Sequence, residues 1–311
     1  MASGELIFFG TPAFCLPFLE ELAGEFRLSL IITQPDRPCG RRLKLTPPAV
    51  KTYALEKSIP FRQPDKLSAE GPLADELRAL KPELGVVLSY GRIIPRGLFS
   101  LPARGTVNLH FSLLPELRGA APVQRAIEKG LTRTGLTVFA IEEQLDSGPI
   151  WKQLELEICP DETSADFMRR ILPQAASFLC YSVREIISGR ALSRPQDHRA
   201  ASTAPRLEKE EGLVDWSLPA LVLYNRWRAF YPWPGLYFSL YGRTVQLLRV
   251  KPAEKRHGLQ PGTVIGLDQE TMRVACGADS LLEISSLQPA GKKAMSAHAF
   301  SLGNPLPRIL N

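Results

Sequence analysis

Short apolar runs alternate with helix-period stretches along the first 190 residues. Residues 5–9, 27–33 and 84–88 are short, mostly apolar stretches of strand length, the pattern of buried strands. Residues 13–23, 49–57 and 70–80 carry helical periodicity, with Pro48 suited to the first position of its helix. Further strands are predicted over 105–110, 134–141 and 149–158, with a helix over 121–129. A long helix is expected to start between Thr163 and Asp166 and to run to 188, where Gly189 ends it. This alternation predicts an α/β domain over 1–189, built on a mostly parallel sheet covered on both faces.

The pattern changes at 190–207, which is polar, aperiodic and contains two prolines, and reads as a linker. Beyond it, a helix over 217–229 precedes strand-like pieces at 236–241, 244–250, 262–267, 271–276 and 281–287. Short strands at this spacing predict a second domain over 208–311, a small β-barrel resembling an OB-fold. Residues 34–48, rich in Pro, Gly and Arg, read as a long loop.

At 311 residues the chain can hold both domains. Its net charge of +6 is uneven: residues 191–311 carry 15 Lys/Arg against 10 Asp/Glu, the rest 23 against 22. The basic half suits a phosphate-backbone partner as well as a soluble surface. No apolar run reaches the length of a membrane span, and no secretory or transit segment opens the chain. Five scattered cysteines, none spaced as a zinc knuckle or redox pair, fit a reducing cytoplasm, with Cys39 in the polar loop as the exposed one.

Candidate chemistry concentrates after the 105–110 run. Strand alternation places Asn108 and His110 on one side, and Asp146 follows in Leu145-Asp146-Ser147-Gly148-Pro149. An amide can hold an oxyanion, an imidazole can move a proton, and a carboxylate can orient and charge it. Such a carboxylate is expected to raise the histidine pKa. Ser112 lacks a nucleophile elbow, so the set points to acyl transfer without a covalent intermediate. Gly10-Thr11-Pro12 is a tight strand-to-helix turn, neither a dinucleotide fingerprint nor a Walker loop. Arg37, Arg41, Arg42 and Lys44 form a cationic loop able to hold phosphates. Arg226-Trp227-Arg228-Ala229-Phe230-Tyr231-Pro232-Trp233-Pro234 mixes cations and aromatics, readable as helix core or as a base-stacking platform. No ligand cluster calls for a metal.

Asn108-Leu109-His110-Phe111-Ser112-Leu113-Leu114-Pro115, followed by Arg118-Gly119-Ala120-Ala121-Pro122, resembles the signature of the formyltetrahydrofolate-dependent formyltransferases. Phe9-Gly10-Thr11-Pro12, the 34–41 stretch, Tyr231-Pro232-Trp233-Pro234 and the 287–295 stretch agree with it, covering both halves. The 287–295 and 34–41 stretches resemble the members that act on methionyl-initiator-tRNA. The resemblance implies a Rossmann-like domain joined to the OB-like barrel; a monomer is expected. It implies 10-formyltetrahydrofolate as donor, without a metal, and methionyl-initiator-tRNA as acceptor. It places Asn108, His110 and Asp146 in catalysis. Ser112, Leu113, Leu114 and Pro115 match the folate-associated segment, and Tyr90, Gly91, Arg92, Ile93 and Ile94 the loop lining the pterin pocket. Arg37, Arg41, Arg42 and Lys44 match the loop that enters the tRNA acceptor end. Phe111 departs from the small residue common there. A small-amine formyltransferase, a formyltetrahydrofolate hydrolase and an RNA-binding protein with a vestigial transferase domain are the rival readings.

Overall fold

The computed structural model describes residues 4–39, 44–253, 256–268 and 270–310, without the Cys39 side chain. In chain order its elements are β1 (Glu5–Gly10), α1 (Leu16–Glu25), β2 (Arg27–Ile32), β3 (Arg37–Cys39), β4 (Lys44–Thr46), α2 (Ala49–Glu56), β5 (Phe61–Arg62), α3 (Pro72–Leu80), β6 (Leu84–Leu88), α4 (Arg96–Phe99), β7 (Thr106–His110), α5 (Pro122–Glu128), β8 (Arg133–Ala140), β9 (Ile150–Glu157) and α6 (Ser164–Ile187). There follow α7 (Ala220–Phe230), β10 (Leu236–Leu240), β11 (Arg243–Ala253), β12 (Val264–Leu267), β13 (Met272–Cys276), β14 (Ser280–Pro289), β15 (Met295–Ser296) and α8 (Ala297–Gly303).

The first sheet has the strand order β5-β2-β1-β6-β7-β8-β9. The pairs from β5 through β7 are parallel, whereas β7 and β8 are antiparallel. Strands β1, β2 and β6 are buried along almost their whole length; Ile7, Phe9, Leu30 and Ile32 sit in one cluster with Leu77 of α3 and Leu98 of α4. Helix α6 begins with a reciprocal cap. Thr163 Oγ1 donates to Asp166 Oδ2 at 2.7 Å, and the Asp166 N–H returns to Thr163 Oγ1 at 3.2 Å. Gly189, at φ 73°, takes the left-handed conformation that ends the helix.

The second sheet is antiparallel and six-stranded, ordered β10-β11-β14-β13-β12 with β15 on β14. Register shifts after Leu247 and Arg249 bend the long β11–β14 ladder. Leu223 and Tyr224 of α7 and Phe300 of α8 share a buried cluster with Phe238, Leu247 and Leu287.

Two compact units interleave along the chain. One comprises Met1–Gly119, Gly135–Leu156 and Arg170–Thr203; the other comprises Ala120–Thr134, Glu157–Arg169 and Ala204–Asn311. Two local readings change. The 34–48 stretch is not loop throughout, since Arg37 pairs with Thr46 and Cys39 with Lys44 in a short antiparallel hairpin. Pro48 is the N-cap of α2 in an extended conformation, one position before the helix. The exposure expected of Cys39 falls on a side chain outside the described residues; among the described cysteines, Cys159 is exposed, while Cys15, Cys180 and Cys276 are buried. Among the described residues, no helix is long and apolar enough to cross a membrane, and no group of three or more His, Cys, Asp or Glu is placed to hold a metal.

Within the second unit, α5 is tied to the 205–211 stretch by buried Arg125. Its guanidinium donates to both Glu211 carboxylate oxygens, to Glu128, and to the Pro205 and Arg206 carbonyls. This pairing holds Glu211 below its ordinary carboxylate pKa. Arg125→Met keeps the length and removes every donor. It is expected to cost about 2–3 kcal/mol of unfolding free energy, the scale of charge-assisted bonds left unmade. Urea denaturation checks this; a loss below about 0.5 kcal/mol would mean the network carries no net stability.

Candidate active site

Strand β7 ends at His110, and its pleat sets Asn108 and His110 on the same side, as two-residue spacing requires. His110 is 5 % exposed and packs edge-on against Phe139. None of the hydrogen bonds among the described residues uses the half-buried Asn108 amide, so its N–H groups are free to meet a ligand.

Two backbone groups in one turn hold the acid–base pair. His110 Nε2 lies 2.8 Å from the Leu117 carbonyl oxygen, which can only accept, so Nε2 carries a proton. The Gly119 N–H donates to Asp146 Oδ2 at 2.8 Å. That same oxygen stands 3.8 Å from His110 Nδ1. Neutral His110 therefore presents its Nδ1 lone pair on the side where Asp146 can stabilise a newly acquired proton. Leu117 (φ 58°) and Asp146 (φ 51°) both occupy the left-handed region, backbone strain held in place by this network. Gly148 closes the Asp146 turn where a Cβ would lie 1.9 Å from the Ala140 carbonyl oxygen, so no other residue fits without backbone movement.

The upward pull expected of Asp146 is present, but burial outweighs it. Burial pushes the His110 pKa below 6.5; Asp146 and the Leu117 carbonyl pull it upward without overcoming that desolvation. Burial thus favours the neutral imidazole.

The 190–207 stretch, read as a linker, is part of the site's support. Buried Gln196 donates to the carbonyls of Asp146 (3.0 Å) and Gly148 (2.7 Å) and receives the Arg118 guanidinium. Ser202 Oγ accepts the Leu117 N–H at 2.9 Å, and its carbonyl accepts the Arg118 N–H. Sequence reasoning missed Leu117, Gly119, Gln196 and Ser202 in these positions. Two of them act through backbone groups, and the others lie in a stretch without periodicity.

The Ser112–Pro115 segment forms a tight turn beside His110. Ser112 Oγ donates to the Glu116 carbonyl at 2.6 Å, and Thr137 Oγ1 bridges Ser112 and Leu114. Gln153 donates to the Leu114 carbonyl at 2.8 Å. Ser112 and Leu114 are buried, whereas Leu113 and Pro115 are half-exposed. Phe111 packs edge-on against Phe14, in the turn after β1, at 5.4 Å between ring centroids.

The Tyr90–Ile94 loop is fastened at the same sheet edge. Thr11 Oγ1 and Gln34 Nε2 both donate to the Tyr90 carbonyl, joining the chain beyond β1, β2 and β6. Tyr90 and Ile94 are buried, Gly91 is exposed at φ 81°, and Arg92 donates to the Pro64 and Asp65 carbonyls. Ile93 is 89 % exposed, an apolar side chain with nothing over it.

Arg37 and Lys44 are exposed on the β3–β4 hairpin; Arg41 and Arg42 lie outside the described residues. Asp36 anchors the hairpin's base through Lys51 and Gln63, and the Lys51 ammonium draws its pKa down. The cation–aromatic stretch divides in two. Phe230 and Arg228 are buried, and Trp227 stacks on Tyr224. Tyr231 and Trp233 stay exposed.

Residues 7–183 match the formyl transferase family, and residues 206–305 match its C-terminal domain. The chain belongs to the formyl transferase family. It is 41 % identical to methionyl-tRNA formyltransferase of Moorella thermoacetica, over 97 % of this chain and 96 % of that one. The enzymes of Myxococcus xanthus (41 %, 98 % and 97 %) and Bacillus licheniformis (38 %, 96 % and 94 %) are similar over equally complete lengths. Two solved structures share the family fold at low identity. An N-formyltransferase from Helicobacter canadensis, in complex with folinic acid and dTDP-3-aminofucose, superposes with TM-score 0.67 at 16 % identity over 91 % of this chain and 99 % of that one. Methionyl-tRNA formyltransferase from Clostridium thermocellum gives TM-score 0.55 at 16 % identity, over 80 % and 93 %.

The lowered pKa makes a direct prediction. In NMR titration of the free protein, the His110 ring, assigned by its loss in His110→Asn, is expected to titrate below 6.5. Because Asp146 pulls the value upward, Asp146→Asn should lower it further. A wild-type ring titrating above 6.5 would show that the carboxylate outweighs burial.

Proposed function

We propose that this protein transfers the formyl group of 10-formyltetrahydrofolate to the α-amino group of methionyl-initiator-tRNA, supplying formylated initiator for translation, and that it works as a cytoplasmic monomer. The observation that carries this reading is similarity of 35–41 % identity to enzymes of that name across both halves of the chain.

The free α-amine attacks the formyl carbon. Asn108 donates its amide N–H to the oxygen that becomes an oxyanion in the tetrahedral intermediate. Neutral His110 takes the ammonium proton on Nδ1, and the imidazolium formed there is stabilised by Asp146, 3.8 Å away. The same proton passes to the departing folate N10 as the C–N10 bond breaks, leaving formyl-methionyl-tRNA and tetrahydrofolate. Neutral at rest and charged only during transfer, His110 suits a general base better than the permanently protonated imidazole expected from the Asp146 spacing alone.

The Tyr90–Ile94 loop and the Ser112–Pro115 turn are assigned to the formyl donor. Uncovered Ile93 offers an apolar contact for a flat heterocycle, and Leu113 and Pro115 present partly open apolar surface beside the catalytic strand. Ser112 contributes by holding that turn, since its hydroxyl is taken by Glu116. Arg37, Arg41, Arg42 and Lys44 are assigned to acceptor-stem phosphates, and the basic C-terminal half to the rest of the tRNA backbone.

Incubating the protein with 10-formyltetrahydrofolate and methionyl-tRNA should yield formyl-methionine on the tRNA. Release of formate without it would point to hydrolysis. Asn108→Ala is expected to lower turnover by about two to three orders of magnitude, as for removal of one oxyanion donor; near wild-type turnover would remove Asn108 from catalysis. Lys44→Ala should reduce the slope of log affinity against log salt by about 1. An unchanged slope would take the hairpin out of the phosphate contacts.

A further inference from the structure

The second unit contains a pocket of about 320 Å³ with no part in the chemistry derived above. Its walls include Ala120, Ala121, Gln124, Arg206, Tyr231 and Trp233. Trp233 is 53 % exposed and Tyr231 39 % exposed, unlike the packed aromatic residues immediately before them. The loop that presents them is held firmly. The Tyr231 N–H donates to the Trp227 carbonyl, the Gly235 N–H to the Phe230 carbonyl, and Ser164 Oγ to the Tyr231 carbonyl at 2.9 Å. Arg206 is exposed, and among the described residues neither its guanidinium nor the half-buried Gln124 amide enters a hydrogen bond or ion pair.

We infer that this pocket is a subsite for an unpaired nucleotide at the acceptor end of the tRNA, with a base against Trp233 and Tyr231, its edge on Gln124 and its phosphate on Arg206. The inference rests on the proposed acceptor. Each side chain has the chemistry its role requires. Aromatic faces stack any base, a free amide reads a base edge through paired donor and acceptor, and a guanidinium meets phosphate. A fixed loop presents the aromatics without an ordering cost at binding.

The test uses the full-length protein with Trp233→Ala, Trp233→Phe, Gln124→Ala and Arg206→Ala. Trp233→Ala should raise KM for methionyl-tRNA by roughly five- to a hundred-fold, the range of one lost base stack. KM for the formyl donor should not change, and Trp233→Phe should recover most of the loss. Arg206→Ala and Gln124→Ala, at exposed or half-exposed side chains, should raise the same KM more modestly. Binding of the end-labelled single-stranded RNA 5′-ACCA-3′, followed by fluorescence anisotropy of the label, should weaken in parallel. The subsite is overturned by a wild-type KM in Trp233→Ala, by an equal rise in KM for the donor, or by tetranucleotide binding indifferent to all four variants. Adenosine monophosphate binding as tightly as the tetranucleotide would also overturn it, in favour of a free-nucleotide pocket. Wild-type protein that fails to formylate methionyl-tRNA defeats the proposed activity instead, while the tetranucleotide measurement still decides the subsite.

Discussion

The turn through Leu117 and Gly119 is the constraint on which the site depends. Its Leu117 carbonyl selects the Nε2–H form of His110, and its Gly119 N–H anchors the Asp146 oxygen nearest the other ring nitrogen. One short stretch of backbone thus sets the tautomer of His110 and the position of the Asp146 carboxylate. Side chains alone would leave both to rotate; backbone groups in a strained turn do not. The turn is itself held from outside by Ser202, while Gln196 holds the far side of the Asp146 turn. The polar stretch between the two compositional halves of the chain is therefore a brace for the turns that hold His110 and Asp146.

The sheet explains why these groups meet at one edge. Strand β7 delivers Asn108 and His110 at its C-terminal end, next to β6, whose continuation carries the Tyr90–Ile94 loop. Thr11 and Gln34 reach the Tyr90 carbonyl from the ends of β1 and β2, so neighbouring strand ends are cross-linked. Ligands of open parallel sheets gather at this edge because the loops there are free to vary while the strands fix their origins. Phe111 fits the same logic. Its ring is accommodated by packing on Phe14 from the turn after β1, a contact made entirely at that edge.

Much of this was legible in the sequence, for identifiable reasons. Short, mostly apolar stretches marked β1, β2 and β6 because strands buried on both faces show no regular polar alternation. The two-residue spacing of Asn108 and His110 carried its meaning through the pleat. The Thr163–Asp166 box and Gly189 marked both ends of α6, because capping is local chemistry. What escaped notice was nonlocal. Strand β5 is a two-residue element defined only by its pairing with β2, and the β3–β4 hairpin lies in a stretch whose prolines argue for loop. The sign of the His110 shift depends on how completely Phe139 and its other neighbours exclude water, which no spacing records. The bracing by Gln196 and Ser202 pairs residues about 50 and 85 positions distant from their partners, beyond any local pattern.

The central claim is that a backbone carbonyl holds neutral His110 with its proton on Nε2, leaving Nδ1 as the base beside Asp146. The most direct measurement is the pair of ring ¹⁵N chemical shifts of His110 in the free protein at neutral pH. The account predicts a protonated-type shift at Nε2 and an unprotonated-type shift at Nδ1. A proton resident on Nδ1, or an imidazolium with both nitrogens protonated, would contradict it.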